Sequence, residues 1–304
     1  MDTLARPQNI KLGVGLILAA ALAISVQDVI IKLFSDHVSL WQIFALRGCI
    51  AVPMLLMIGK MRGSRNLLKS ALSRWPLMRS LFITTTFLAF YAAIPFLSLS
   101  TVGAANYIAP IFVTLLSAYV IAEPVRRRGW IGVALGFVGV MVLLQPGSDA
   151  FSPWSILPII GAAFYALAHI TTRTRCQGVP VAALSLSQNI IMGLAGFIVS
   201  GLLLWLPQDG VLMQSYPYVF GSWLPIGLSD FAVLVLLAGF AVAIGMLLAG
   251  AYQAAPPSTV ATFEYTYLVF VAVWDAVFFA SLPNPISLSG MALIIIAGLL
   301  VLRK

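Results

Sequence analysis

The sequence predicts an all-α membrane protein: ten transmembrane helices in two inverted five-helix repeats, with both termini on the inner side. Three observations lead there. Apolar residues exceed what a soluble core could absorb, lysine and arginine are distributed one-sidedly, and the two halves match each other. Hydrophobic residues make up 61% of the 304 positions and charged residues only 9%, where a soluble domain carries about 25% charged. Lipid is the solvent that suits such a chain.

A helix of ~20 apolar residues, rising 1.5 Å per residue, crosses ~30 Å of hydrocarbon. Ten stretches meet that need, near 12–34, 40–58, 77–97, 101–121, 129–145, 154–172, 181–204, 230–252, 258–280 and 286–302. The first run continues through Asp28 and Lys32 to Phe34, too long for the apolar region of a secretory signal.

Threaded with the N-terminus inside, the loops separate by charge. Arg6 and Lys11 fall inside, as do Lys60, Arg62, Arg65, Lys69, Arg74 and Arg79 around the second connection. Arg126, Arg127, Arg128, Arg173, Arg175, Arg303 and Lys304 fall inside too. Outer loops carry Asp36, Asp149 and Asp209, with Asp230 at the edge of the eighth span, and Lys32 and Arg47 remain within helices. This is the positive-inside pattern, and reversing the orientation would invert every loop. The net charge of +8 thus reflects orientation and not nucleic-acid binding. Trp41, Trp154, Trp205 and Trp223 fall at outer boundaries and Trp75 and Trp130 at inner ones, the headgroup level that indole prefers. Trp274 alone falls within a span.

A shift of 158 positions lays spans 4–5 on spans 9–10 without a gap. Ser100-Thr101-Val102 meets Ser258-Thr259-Val260, Tyr107 meets Tyr265, Phe112-Val113 meets Phe270-Val271, and Gly132 meets Gly290. A weaker match at 141 lays spans 1–2 on 6–7, placing Asp28 over His169, Lys32 over Arg173 and Arg47 over Gln188. The repeats are therefore 12–147 and 154–302. Five helices is an odd number, so the two copies insert with opposite orientation. Inverted repeats give two similar bundles that open alternately around a midplane site, the design of secondary transporters.

Several runs resemble the drug/metabolite transporter superfamily, specifically its EamA-type ten-helix branch. They are Gln27-Asp28-Val29-Ile30-Ile31-Lys32 followed by Arg47, the run Ala109-Pro110-Ile111-Phe112-Val113-Thr114, then Ala122-Glu123-Pro124, and Gly132, Gly136 and Gly139 through to Gln145-Pro146-Gly147. Phe263-Glu264-Tyr265-Thr266 is similar to a pattern in the second repeat of many members. The resemblance implies a two-repeat transporter in a bacterial inner membrane, moving a solute such as an amino acid, riboflavin or S-adenosylmethionine. The family usually ends spans 4 and 9 with Gly-Glu; here the pairs are Ala122-Glu123 and Ala280-Ser281, so the second acid is missing.

Charged groups at the centre of a membrane helix cost ~2.5–3.5 kcal/mol on insertion scales, so each needs a reason. Asp28 and Lys32 are spaced i,i+4 and are expected either to pair structurally or to gate. Arg47 lies roughly 10 Å into the second span, as a partner for Asp28 or a clamp on substrate. Glu264 has no basic residue within four positions. Burial favours its neutral form, so it is a candidate to take up a proton or a cationic group, against a plain hydrogen bond to a neighbouring helix. Asn106, its repeat equivalent, offers an uncharged donor and acceptor. His169 reads first as a core histidine, Gln188 as the equivalent of Arg47, and Asp275 as facing water. Tyr91, Tyr107 and Tyr265 are candidates to stack a flat ring. Gly132, Gly136, Gly139, Gly239, Gly245 and Gly250 suit close helix contacts, and Pro95 and Pro110 suit a bend.

Two histidines and the two cysteines Cys49 and Cys176 supply no catalytic cluster, disulfide framework or metal spacing. No cofactor or metal is expected, and the partners are a small-molecule substrate and the bilayer. A membrane enzyme and a channel are the competing classes. The topology is checked by thiol labelling of single cysteines: positions 149 and 215 should react from outside, 66 and 127 from inside only. Inside-only labelling at 149 would remove the inverted-repeat reading.

Overall fold

The computed structural model describes residues 8–34, 38–64, 66–97, 99–145, 152–205, 210–279 and 285–302. Arg6, Asp36, Arg65, Pro146, Gly147, Asp149, Asp209, Ala280, Ser281, Arg303 and Lys304 lie outside them. Among the described residues all regular structure is helical. In chain order the helices are α1 (Ile10–Phe34), α2 (Leu40–Met61), α3 (Leu67–Ala71), α4 (Arg74–Ala93), α5 (Leu99–Asn106), α6 (Ala109–Tyr119) and α7 (Arg127–Leu144). After a short 3-10 turn at Pro153–Ser155 come α8 (Ile156–Arg175), α9 (Val181–Leu203), α10 (Val211–Ser215), α11 (Pro217–Phe220), α12 (Leu228–Ala254), α13 (Pro257–Glu264), α14 (Thr266–Phe279) and α15 (Pro285–Leu302).

Helical structure covers each stretch the sequence marks as a span. Eight helical segments are long and apolar enough to cross a membrane; α4 and the α5–α6 pair fall short of that measure. On α4 the cause is a polar face: Arg79, Ser80, Thr84 and Thr86 are all buried. Ser80 bonds to Ser187 on α9 at 3.0 Å, and the Thr86 hydroxyl donates to the Gly161 carbonyl on α8 at 2.9 Å. These groups face protein, where they are satisfied, and not lipid.

The fourth and ninth expected spans are interrupted. Pro110 opens α6 and has no N–H to give the carbonyl four residues back, so the helix breaks at Tyr107-Ile108. At Tyr265 there is no proline. Thr266 instead bonds its own side chain to the Phe263 carbonyl at 2.6 Å, a local bond that competes with the helical ladder. The two breaks meet: the Tyr265 hydroxyl donates to the Tyr107 carbonyl at 3.4 Å, with the rings 6.2 Å apart.

Neighbouring helices form a regular set. α7 packs on α15 and α2 on α9, while α4 packs on α8 and α9 as α12 does on α1 and α2. Exchanging α1 with α8, α2 with α9, α4 with α12 and α7 with α15 maps these pairs onto one another. The tightest seam, α7 on α15, has the same property. Gly132 approaches the Ala297 carbonyl, and Gly139 the Gly290 carbonyl. The shift of 158 carries 132 to 290 and 139 to 297, turning one contact into the other.

Some placements differ from expectation. Arg79 is not in a loop but in the second turn of α4, fully buried; Arg173 is likewise buried, in the last turn of α8. Trp41 is no interfacial anchor. It is 5% exposed, because the connection after α9 folds back through α10 and α11 and the Val219 carbonyl accepts from its indole at 2.9 Å. Gln42 holds the same connection by both sides of its amide, donating to Leu224 O and accepting from Leu224 N. Gly239 meets nothing within 4 Å, so it supports no close contact.

A Cβ on Gly290 would lie 2.7 Å from the Gly139 carbonyl oxygen and 2.8 Å from the Leu143 nitrogen, backbone that cannot step aside. Gly290→Val should therefore lower stability by the ~1–3 kcal/mol typical of overpacking, while Gly239→Ala should stay within about 0.5 kcal/mol. Thermal melting in detergent compares the two, and equal effects would deny the α7–α15 seam its role.

Candidate functional site

Around the two helix breaks, polar and aromatic side chains are half-buried within the bundle: Asp28, Tyr91, Asn106, Tyr107, Glu264 and Tyr267. They fall into two groups.

The first gathers on α1, α2, α4 and α14. Asp28 accepts from the Tyr267 hydroxyl, and the Tyr267 ring stacks on Tyr107 at 6.3 Å and 28°. Arg47 is 9% exposed, with its guanidinium 5.0 Å above the Phe44 ring. Among the described residues it makes no hydrogen bond or ion pair. Asp28, Tyr91 and Tyr218 all lie within electrostatic reach of it. Tyr91 packs against Trp41 and Phe44, at 5.9 and 6.1 Å between ring centres. A cation over an aromatic face is stabilised by the ring quadrupole, which lets Arg47 stay charged without an acid bonded to it.

The second gathers on α8, α12 and α13. Glu264 Oε1 accepts from Tyr165 at 2.9 Å and from Tyr252 at 2.7 Å. His169, fully buried, is packed between those tyrosines, stacked on Tyr252 at 3.9 Å and edge-on to Tyr165 at 4.2 Å. Neither of its ring nitrogens has a hydrogen-bond partner. Two hydroxyl donors on one carboxyl oxygen hold Glu264 in one orientation.

Lys32 leaves the centre. The ion pair across helices is with Asp275 on α14 at 3.4 Å, with both side chains well exposed. The i,i+4 spacing with Asp28 is thus not what positions either group: Asp28 is held by Tyr267 and Lys32 by Asp275. Asp275 does not simply face water. It supplies an acid near the end of the ninth span, where the family's usual second Gly-Glu is missing. At the opposite end of the molecule Arg173 Nε meets Glu123 Oε1 at 2.8 Å, and its Nη1 donates to the Gln253 carbonyl at 2.8 Å. The shift of 141 that places Lys32 over Arg173 therefore relates two ion pairs, one reaching the interrupted helix of the other half at Asp275 and one the connection just after it at Glu123.

Tyr265, expected to line a cavity, is fully buried. Its ring fills the recess at Gly136, where a Cβ would come within 2.4 Å. Asn106 ends α5 just before the break, and Gln188 accepts from Arg79 at 3.2 Å. Sequence reasoning missed Tyr165, Tyr252, Tyr218 and the burial of Arg79. Tyr165, His169, Thr172 and Arg173 follow helical spacing along one face of α8, a signal that was available; nothing in the sequence brings Tyr218 back from the α9–α12 connection. Two apolar hollows lie elsewhere. One of about 390 Å³ sits between Phe197, Ser200, Leu204 and Trp223, and one of about 530 Å³ between Asn9, Leu12, Val181, Met246 and Gly250. Neither touches a charged group of the two clusters.

Apolar helices broken around buried charges and aromatic rings define a multi-pass membrane protein of the transport class. Residues 11–145 match the EamA-like transporter family. The chain is 26% identical to an uncharacterised transporter of Helicobacter pylori over 96% of its own length and 95% of the relative's. It is 20% identical to an S-adenosylmethionine uptake transporter of Rickettsia bellii over 96% and 94%. A riboflavin transporter of Rhizobium johnstonii is 28% identical over 64% of this chain and 59% of that one. A solved crystal structure superposes with a TM-score of 0.77 at 17% identity, covering 98% of each chain, and shares the fold.

The two ion pairs should differ in weight. Glu123→Gln leaves the Arg173 charge buried and uncompensated, a loss of about 3–5 kcal/mol. Asp275→Asn breaks an exposed pair worth ~0–1 kcal/mol. Melting temperatures of the purified variants measure the contrast, and a larger fall for Asp275→Asn would contradict it.

Proposed function

We propose that the protein is a secondary transporter that moves a small metabolite across a bacterial inner membrane by alternating access. Its ten spans form two inverted repeats, 12–147 and 154–302, with both termini inside. The carrying observation is the pair of interrupted helices meeting at Tyr107 and Tyr265, with Asp28 and Arg47 on one side and Glu264 on the other. In a bilayer, broken helices occur where backbone is covered by protein or lines a cavity, and substrate sites of inverted-repeat carriers lie at such breaks. The exchange of helix neighbours and of the Gly132–Ala297 and Gly139–Gly290 contacts supports the repeat. The Arg173–Glu123 and Lys32–Asp275 pairs stand where the inner and outer mouths would close.

The aromatic lining of Tyr91, Tyr107 and Tyr267 beside charged groups suits a flat or amphipathic solute. That agrees with relatives named for S-adenosylmethionine and riboflavin, which are the first probes to use. Counterflow in proteoliposomes is the test. A carrier exchanges unlabelled for labelled solute, a channel does not concentrate label, and an enzyme changes the labelled compound chemically. Glu264 is the proton- or cation-coupling group in this reading. Glu264→Gln should keep the fold and passive exchange of substrate but abolish accumulation driven by a pH gradient. Full gradient-driven uptake by that variant would leave Glu264 as a purely structural partner of Tyr165 and Tyr252.

A further inference from the structure

Among the described residues, Arg79 is the most deeply buried charge that has no opposite charge beside it. It is 0% exposed, and its neighbours are uncharged. Nε donates to Thr172 Oγ1 at 2.8 Å, and Nη1 to Gln188 Oε1 at 3.2 Å and to the Leu184 carbonyl at 3.5 Å. Nη2 has no partner, and no carboxylate pairs with Arg79 among the described residues. His169 lies within electrostatic reach, and both of its nitrogens are also unpartnered. A guanidinium does not lose its proton in proteins, and a buried charge without compensation is strongly destabilising. The unused Nη2 leaves this guanidinium able to take one more acceptor, and an anion there would also supply the missing charge.

The repeat indicates what that is. The shift of 141 places Arg47 over Gln188 and Asp28 over His169. Gln188 is the residue Arg79 holds, and His169 is the residue whose surroundings it charges. A guanidinium therefore stands at both repeat-equivalent places, on α2 directly and at Gln188 of α9 through Arg79 of the packed helix α4, although both arginines belong to the first half of the chain. Among the described residues neither arginine has an acid bonded to it. Counting 1.5 Å per residue, Arg47 is ~10 Å from one end of its helix and Arg79 ~8 Å from the opposite face. Arg47 and Arg79 thus enter the bundle from opposite ends.

We infer that Arg47 and Arg79 are two stations for one oxyanion, a carboxylate or phosphate on the transported solute. Arg47 takes it when the outer mouth is open, and Arg79 takes it when the inner half separates. In the present conformation the inner half is closed by Arg173 and Glu123, and Arg79 is left packed on neutral acceptors. Arg79 is accordingly a substrate-binding residue on the inner side. This assignment rests on the transport reading above and deepens it by naming the chemical class of the cargo.

The test uses matched probes on the purified full-length chain. S-adenosylmethionine, riboflavin 5′-phosphate, phenylalanine and glutamate are each compared with a decarboxylated, dephosphorylated or amidated counterpart, by thermal shift and by counterflow. The expected result is a preference for the oxyanion member of at least one pair. Whether that is a carboxylate or a phosphate pair identifies the group. Arg79→Gln should cut affinity for that member about ten-fold or more, the scale of a lost hydrogen-bonded charge, and leave the counterpart nearly unchanged. Arg79→Lys, which keeps the charge and guards against a folding defect, should retain part of the preference. Equal binding of both members of every pair, or an unchanged preference in Arg79→Gln, overturns the oxyanion assignment and leaves transport standing. No binding and no counterflow by any probe removes both.

Discussion

A helix interrupted in hydrocarbon must hide the backbone groups it frees, and this requirement organises the molecule. Lipid offers no hydrogen bonds, so the breaks at Tyr107-Ile108 and at Tyr265 can exist only where protein surrounds them. The chain meets the demand by setting the two breaks against each other, with the Tyr265 hydroxyl on the Tyr107 carbonyl and its ring in the recess left by Gly136. That arrangement draws α7 and α15 together along glycines. It also leaves Glu264, beside one break, bonded to Tyr165 and Tyr252 inside the bundle. The charged centre and the small-residue seam are two results of one backbone problem.

The long apolar helices were readable because lipid imposes a length. What went unread depends on contacts that a linear pattern does not encode. Pro110 announced one break, but Tyr265 interrupts its helix through a threonine side chain that competes locally for a carbonyl. Counting basic residues by loop assigned Arg79 to the inner surface. The polar run Arg79, Ser80, Thr84 and Thr86 along one helix face pointed instead to a helix turned towards protein. The i,i+4 spacing of Asp28 and Lys32 suggested a pair, but the lysine found its acid 243 positions away, on a helix whose register the sequence does not reveal. Trp41 looked interfacial because nothing local shows that a later loop folds over it.

Within the candidate site, tyrosine does most of the stabilising of acids. Asp28 and Glu264 both take hydroxyl donors from neighbouring helices, and each such bond fixes a carboxylate without neutralising it. A lysine or arginine at the same place would have closed the site with a permanent ion pair. Phenols keep the acids oriented and electrostatically available. The arrangement explains how a chain with so few charged residues can still concentrate several at its centre.

The two cross-half ion pairs differ in their exposure to electrolyte. Arg173 and Glu123 are 0% and 14% exposed, Lys32 and Asp275 59% and 41%. Mobile ions screen exposed charges over about 8 Å at physiological ionic strength but scarcely reach a buried pair. One end of the protein therefore loosens as salt rises on its side of the membrane, and the other end does not respond. Salt on the Lys32–Asp275 side would weaken one tie between the halves and spare the other, without any ligand binding.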